Sequence, residues 1–124
     1  MSFLDKIFGK NEPENHQQTF WKNMCHENDL KDAVENSHRN KVVIFKHSTR
    51  CFISRTVLKN FENEVQNSDK NIDYYYLDLL ACRSLSNKIA EQFGVEHQSP
   101  QIIVLENGIA IGNASHQAIS LNLV

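Results

Sequence analysis

Residues 41–54 read KVVIFKHSTRCFIS, and the succession of residue types in that stretch decides the fold. KVVIFK (41–46) is a short apolar run rich in β-branched and aromatic residues, the pattern of a strand buried on both faces. Beyond HSTR, Ile53, Val57, Phe61 and Val65 recur every four residues with Leu58 beside them, one apolar stripe of a helix over about 51–66. Cys51 thus falls where a buried strand gives way to a helix. A helix N-terminus carries unpaired N–H groups and partial positive charge, which favour a thiolate over a thiol. From Lys46 to Lys59 there are four Lys/Arg and no Asp or Glu, within a chain of formal charge −2. Since the thiolate is the nucleophile, Cys51 is the candidate catalytic residue.

Ser54 defines what such a thiol can do. Position i+3 of a helix faces the same side as position i, and a cysteine there could resolve a mixed disulfide within the chain. A hydroxyl cannot. Ser54 can donate a hydrogen bond to the thiolate, as can Thr49 from the strand side, or it can satisfy a backbone group at the helix end. In either case Cys51 must exchange with external thiols through a mixed disulfide. Arg50 and Arg55 suit an anionic partner or are simply solvated helix charge.

Working outward, FWKNM (20–24) reads as a short first strand, and Asp29 as the cap of a helix over 30–37. IDYYYLD (72–78) is an aromatic-rich strand. Leu85, Ile89, Ala90 and Phe93 mark another helix that Gly94 ends. QIIVLENGIAIGN places two apolar runs around Asn107-Gly108, a strong hairpin signal, and a brief helix over 115–122 closes the chain. The order β-α-β-α-β-α-β-β-α implies parallel strands joined through helices, then an antiparallel hairpin. Before the domain at 20–124, MSFLDKIF suggests a short arm, and GKNEPENHQQT a polar linker, over 1–19.

A chain of 124 residues has room for one core. Its acidic balance gives no case for nucleic acid, and no apolar run approaches the roughly 20 residues that span a bilayer. Three cysteines at 25, 51 and 82, an odd count without an export signal, favour a reducing cytoplasm over a disulfide framework. No Cys-x-x-Cys pair supports a structural metal. Cys25 is expected in or beside the first strand, and His16, His26, His47 and His97 at the surface. Cys82 follows strand 72–78 as Cys51 follows 41–46, on the same sheet edge. It is either a resolving thiol for Cys51 or a small helix-start residue. Ser99-Pro100 precedes a strand; by intrinsic preference the bond is trans.

The apolar strand, HSTRCFIS and HQSPQIIVLENG together resemble a thioredoxin-fold protein, and more narrowly the monothiol bacilliredoxin-like proteins of the bacillithiol system. The resemblance runs from about residue 20 to 118. That family's stretch is close to Thr-Cys-Pro-Ile-Ser, so Cys51, Ile53 and Ser54 match, while Phe52 replaces proline and Arg50 separates Thr49 from the cysteine. It implies an α/β thioredoxin-like fold with a mixed sheet of four to five strands, a cis Pro100 packed against Cys51, and a Ser99 backbone that bridges to a bound thiol. A substrate surface of Thr49, Arg50, Phe52, Arg55, Ser99 and Pro100 follows. The implied activity is monothiol thiol–disulfide exchange. A low-molecular-weight thiol is co-substrate, client proteins with mixed disulfides are partners, and no cofactor is bound.

Two other functions fit the same residues. A glutaredoxin-like [2Fe–2S] protein would use Cys51 with an external thiol, although Phe52 should crowd the cluster. A non-catalytic thioredoxin-like interaction module would leave Cys51 unreactive.

Overall fold

The structure, a computed structural model, describes residues 20–124; the arm and linker expected over 1–19 lie outside them. Among the described residues five strands and three α-helices follow in the order β1 (Trp21–Asn23), α1 (Glu27–Asn36), β2 (Lys41–His47), α2 (Phe52–Gln66), β3 (Ile72–Asp78), α3 (Arg83–Phe93), β4 (Gln101–Glu106) and β5 (Ile109–Ser115). The expected terminal helix is instead two 3₁₀ turns, His116–Ala118 and Leu121–Leu123. One mixed sheet runs in the order β1-β3-β2-β4-β5. β3 pairs parallel with both β1 and β2, whereas β2 with β4 and β4 with β5 are antiparallel.

Chain direction across this sheet sorts the helices. The β1-to-β2 crossover steps over β3 one way, and the β2-to-β3 crossover steps back. Right-handed connections in opposite directions put their helices on opposite faces. Accordingly Leu30 and Ala33 of α1 share a core layer with Leu85 and Ile89 of α3, packed on Val42, Ile44, Ile103 and Leu105. Val57, Phe61 and Val65 of α2 pack on the other face against Val43, Phe45, Ile102 and Val104. Full burial of a side chain such as Phe45 or Phe61 stabilises by roughly 1.5–3 kcal/mol. Across that second layer the buried Trp21 Nε1 donates to Glu62 Oε2 at 2.7 Å, tying β1 to α2.

Local chemistry explains the element ends. Asp29 caps α1 from inside its first turn: its carboxylate accepts the N–H groups of Cys25 and His26, both at 2.9 Å, so the helix starts earlier than the expected 30. Those two donors hold its pKa below the usual aspartate value. Gly94 ends α3 at φ +66°. Asn107 and Gly108 both have positive φ, as a two-residue hairpin turn requires. The turn is pinned to the end of α1, with Asn107 N–H on Ser37 O and Gly108 N–H on Ser37 Oγ, each 2.8 Å.

Candidate functional site

The parallel strands β1, β3 and β2 end at one sheet edge, and each is followed within four residues by a cysteine. Cys51 follows β2. It is the N-cap of α2 in extended backbone (φ −101°, ψ 122°), so its carbonyl already accepts the first helical bond, from Arg55 N–H at 3.0 Å. Its own N–H donates to Ser48 O at 3.1 Å. The residue is half-buried, and it is the free cysteine of the described residues.

Ser54 stands at the expected position but is fully buried and does more than the sequence suggests. Its hydroxyl accepts the Ser48 N–H at 3.1 Å and lies 2.8 Å from His47 Nδ1. Burial depresses the His47 pKa to about 4, with Asp78 opposing and Arg55 reinforcing the shift, so the imidazole is neutral at pH 7. In the tautomer with hydrogen on Nε2, Nδ1 takes the Ser54 proton. Ser54 therefore fastens the end of β2 to the first turn of α2, directly behind Cys51. His47, expected at the surface, is 3% exposed and packs between Phe45 and Tyr76. The reason is its strand: β2 is central and covered on both faces, so its last residues are buried whatever their polarity.

Lys46 counts among the four basic residues of 46–59 but adds no charge to the surface. It is wholly buried and faces away from α2, with Nζ donating to Ser86 O at 3.2 Å and lying 3.4 Å from His97 Nδ1. Burial lowers its pKa to about 8. His97, also expected at the surface, is half-buried here, and its pKa is lowered by burial and by Lys46 and Arg83. The exposed positive charge near the thiol thus comes from Arg50, Arg55 and Lys59.

Thr49 and Arg50 are exposed on the turn before Cys51, and Arg55 Nη1 donates to Thr49 O at 3.2 Å. Phe52, which replaces the family's proline, begins α2 and projects into solvent, 71% exposed. The Arg55 guanidinium stands 5.9 Å from its ring centre. Phe52 and Ile53 open onto a groove of about 250 Å³, completed by Thr56, Asn60, Gln117 and Ile119. Ser99-Pro100 is cis, as the family resemblance implies and against intrinsic preference, and Pro100 is buried at the start of β4. The β2–β4 register sets Gln101 opposite Lys46, five residues before Cys51. The Ser99 hydroxyl is buried without a hydrogen-bond partner among the described residues.

Cys82 does not stand with Cys51. It is bonded to Cys25, with Cα atoms 5.3 Å apart. Of its two readings Cys82 takes the helix-start one, as N-cap of α3; the bond to Cys25 leaves no thiol there to resolve Cys51 and overturns the expectation of a chain without disulfides. A shared sheet edge was not enough. Cys82 heads α3 and Cys25 precedes α1, and both belong to the α1/α3 face, whereas Cys51 heads α2 on the opposite face. The alternation of crossover directions was the signal that separates them.

A family model described as monothiol bacilliredoxin BrxC matches residues 22–124. Among solved structures, the chain is similar to a candidate oxidoreductase with a thioredoxin fold, at TM-score 0.74 and 28% identity, covering 86% of this chain and 94% of that one. It is also similar to reduced Schistosoma mansoni thioredoxin, at TM-score 0.62 and 18% identity over 77% and 85% of the two chains. Malassezia sympodialis thioredoxin gives 0.61 and 16% over 76% of each. The last two speak to the fold alone: it is an α/β thioredoxin-like fold.

Proposed function

The chain belongs to the monothiol bacilliredoxin BrxC family, and from that premise we propose that it exchanges a low-molecular-weight thiol with protein mixed disulfides through Cys51. The Cys51 thiolate attacks the small-thiol sulfur of a client mixed disulfide. The client leaves as its thiolate and takes up a proton, and Cys51 becomes the mixed disulfide. A second small thiol attacks that adduct, leaves as the symmetrical disulfide, and returns Cys51 to the thiol. No bound cofactor takes part.

The observation that carries this reading is the isolation of Cys51. Its i+3 neighbour is a buried serine committed to His47 and Ser48, and the other two cysteines are bonded to each other. Resolution must come from outside the chain. Arg50 and Arg55 suit the carboxylates of an anionic thiol, and bacillithiol is the family's candidate. The Phe52–Ile53 groove offers apolar contact to a client beside the thiol, and the Ser99 backbone an edge for it. A thiol-rich cytoplasm is the fitting compartment.

The test is intact mass. Protein with a free Cys51 thiol and the Cys25–Cys82 bond intact, mixed with a bacillithiol-modified client, should gain one bacillithiol on Cys51 and release the free client thiol. Cys51→Ser should slow release by at least about a thousandfold, as loss of an essential nucleophile does. No adduct on Cys51 with any small thiol would overturn the reading and leave an interaction module.

A further inference from the structure

The bonded pair Cys25–Cys82 has features that a passive staple does not need. Cys25 lies one residue before the N-cap of α1, and Cys82 is itself the N-cap of α3. These helices have 10 and 11 residues, so each sulfur stands at the positive end of a substantial dipole. Helix N-termini stabilise thiolates, and a disulfide whose products are stabilised thiolates is readily reduced. The two sulfurs are not equivalent. Cys25 is half-buried and within reach of solvent, whereas Cys82 is 8% exposed and packed in the α1/α3 core layer. Asp29, with its carboxylate on the Cys25 N–H, opposes negative charge at Cys25, while Arg83 follows Cys82 and favours it there. Access selects Cys25 as the sulfur attacked, and charge selects Cys82 as the sulfur that leaves.

We propose that Cys25–Cys82 is a second redox centre, a disulfide that exchanges with thiols in the folded protein, by attack at Cys25 and departure of Cys82. A thiolate RS⁻ forms a bond to the Cys25 sulfur as the Cys25–Cys82 bond breaks, and Cys82 leaves as a thiolate that takes up a proton. A second RS⁻ attacks the R sulfur of the Cys25 adduct, releasing RSSR and the Cys25 thiolate, which is protonated in turn. Two thiols thus supply two electrons and two protons, and RSSR reverses the sequence. The chain then holds two kinds of redox chemistry on one sheet edge: one-thiol exchange at Cys51 and a two-electron couple at the opposite face. This centre is independent of what Cys51 does, and its test is made without Cys51.

The Cys51→Ser chain is equilibrated in dithiothreitol buffers of graded oxidised-to-reduced ratio, acid-quenched, alkylated and weighed intact. The expected result is a single step from no labelled thiols to two, with unchanged far-UV circular dichroism. In glutathione disulfide, the Cys51→Ser/Cys82→Ser chain should acquire glutathione on Cys25. The Cys51→Ser/Cys25→Ser chain should react at Cys82 at least about tenfold more slowly, because burial restricts access. A pair that resists reduction until the dichroism collapses is a static staple and overturns the proposal. So does a pair that labels fully at every ratio, since the disulfide then does not form. Equal adduct rates at the two cysteines overturn the direction of attack.

Discussion

Two corners of the same sheet edge hold the same residue in nearly the same sequence position, with opposite outcomes. Cys51 comes four residues after β2 and Cys82 four residues after β3, and each is the N-cap of the helix that follows. At the first corner the chain keeps a free, half-buried thiol; at the second it closes a disulfide into a core layer. The strands are neighbours, so distance along the edge does not separate them. The helices do. α2 covers one face and α1 with α3 the other, so Cys82 finds the cysteine before α1 rather than the one that heads α2. Adjacency in a parallel sheet brings strand ends together, but the face taken by each crossover decides which side chains meet.

The largest expected effect comes from removing the covalent difference. The Cys25–Cys82 bond closes a loop of 57 residues, which the chain-entropy account values at about 4 kcal/mol. Cys25→Ser should lower the urea-unfolding free energy by about that amount and leave Cys51 exchange within about twofold of the parent, as expected of separated sites. An equal loss of exchange would mean that the corners are coupled.

The next effect distinguishes the corners by pH. His47, behind Cys51, is held near pKa 4 by burial, below its unfolded value of about 6.5. Between these values the unfolded chain binds a proton that the folded chain refuses. Its contribution is complete above about pH 6.5 and is lost as pH falls toward 4. The total is about 3 kcal/mol, at 1.36 kcal/mol per unit. A stability profile measured by denaturant should rise across that window, and His47→Phe should flatten it.

Smaller still is the joint itself. Ser54→Ala leaves the Ser48 N–H and a buried imidazole nitrogen unpaired, with an expected cost of about 1–3 kcal/mol in urea unfolding. The same substitution should slow exchange at Cys51 without changing the thiol count, since Ser54 carries no electrons. The smallest effect belongs to the exposed Arg55. Arg55→Gln should weaken an anionic small thiol by about 0.2–1 kcal/mol in a titration, and added salt should erase the difference.

Much of this architecture was legible because the sequence is locally consistent. Residues 41–46 and the stripe from Ile53 to Val65 mark elements of one periodicity each, and Asn107-Gly108 marks its own turn. The junction that holds Cys51 and Ser54 was legible because the passage from strand to helix is a local event. What was hidden is non-local. His47 looks like a surface residue beside Ser48 and Thr49, yet the sheet continues over it on both sides, and burial follows from strand order rather than residue type. The cis Pro100 was legible only through family resemblance, since the intrinsic preference is trans. Cys25 and Cys82 are 57 positions apart, and nothing in their immediate neighbours names the partner.

Lys46 has a use that needs no change to the chain. It is the amine that lies sealed between β2, α3 and the loop before β4, with pKa lowered to about 8 and so a larger uncharged, acylatable fraction than an ordinary lysine. Only exclusion of reagent keeps it unmodified. The rate at which an acylating reagent reaches Lys46 is therefore a clock for opening of that corner, readable peptide by peptide, while the exposed lysines report the reagent itself.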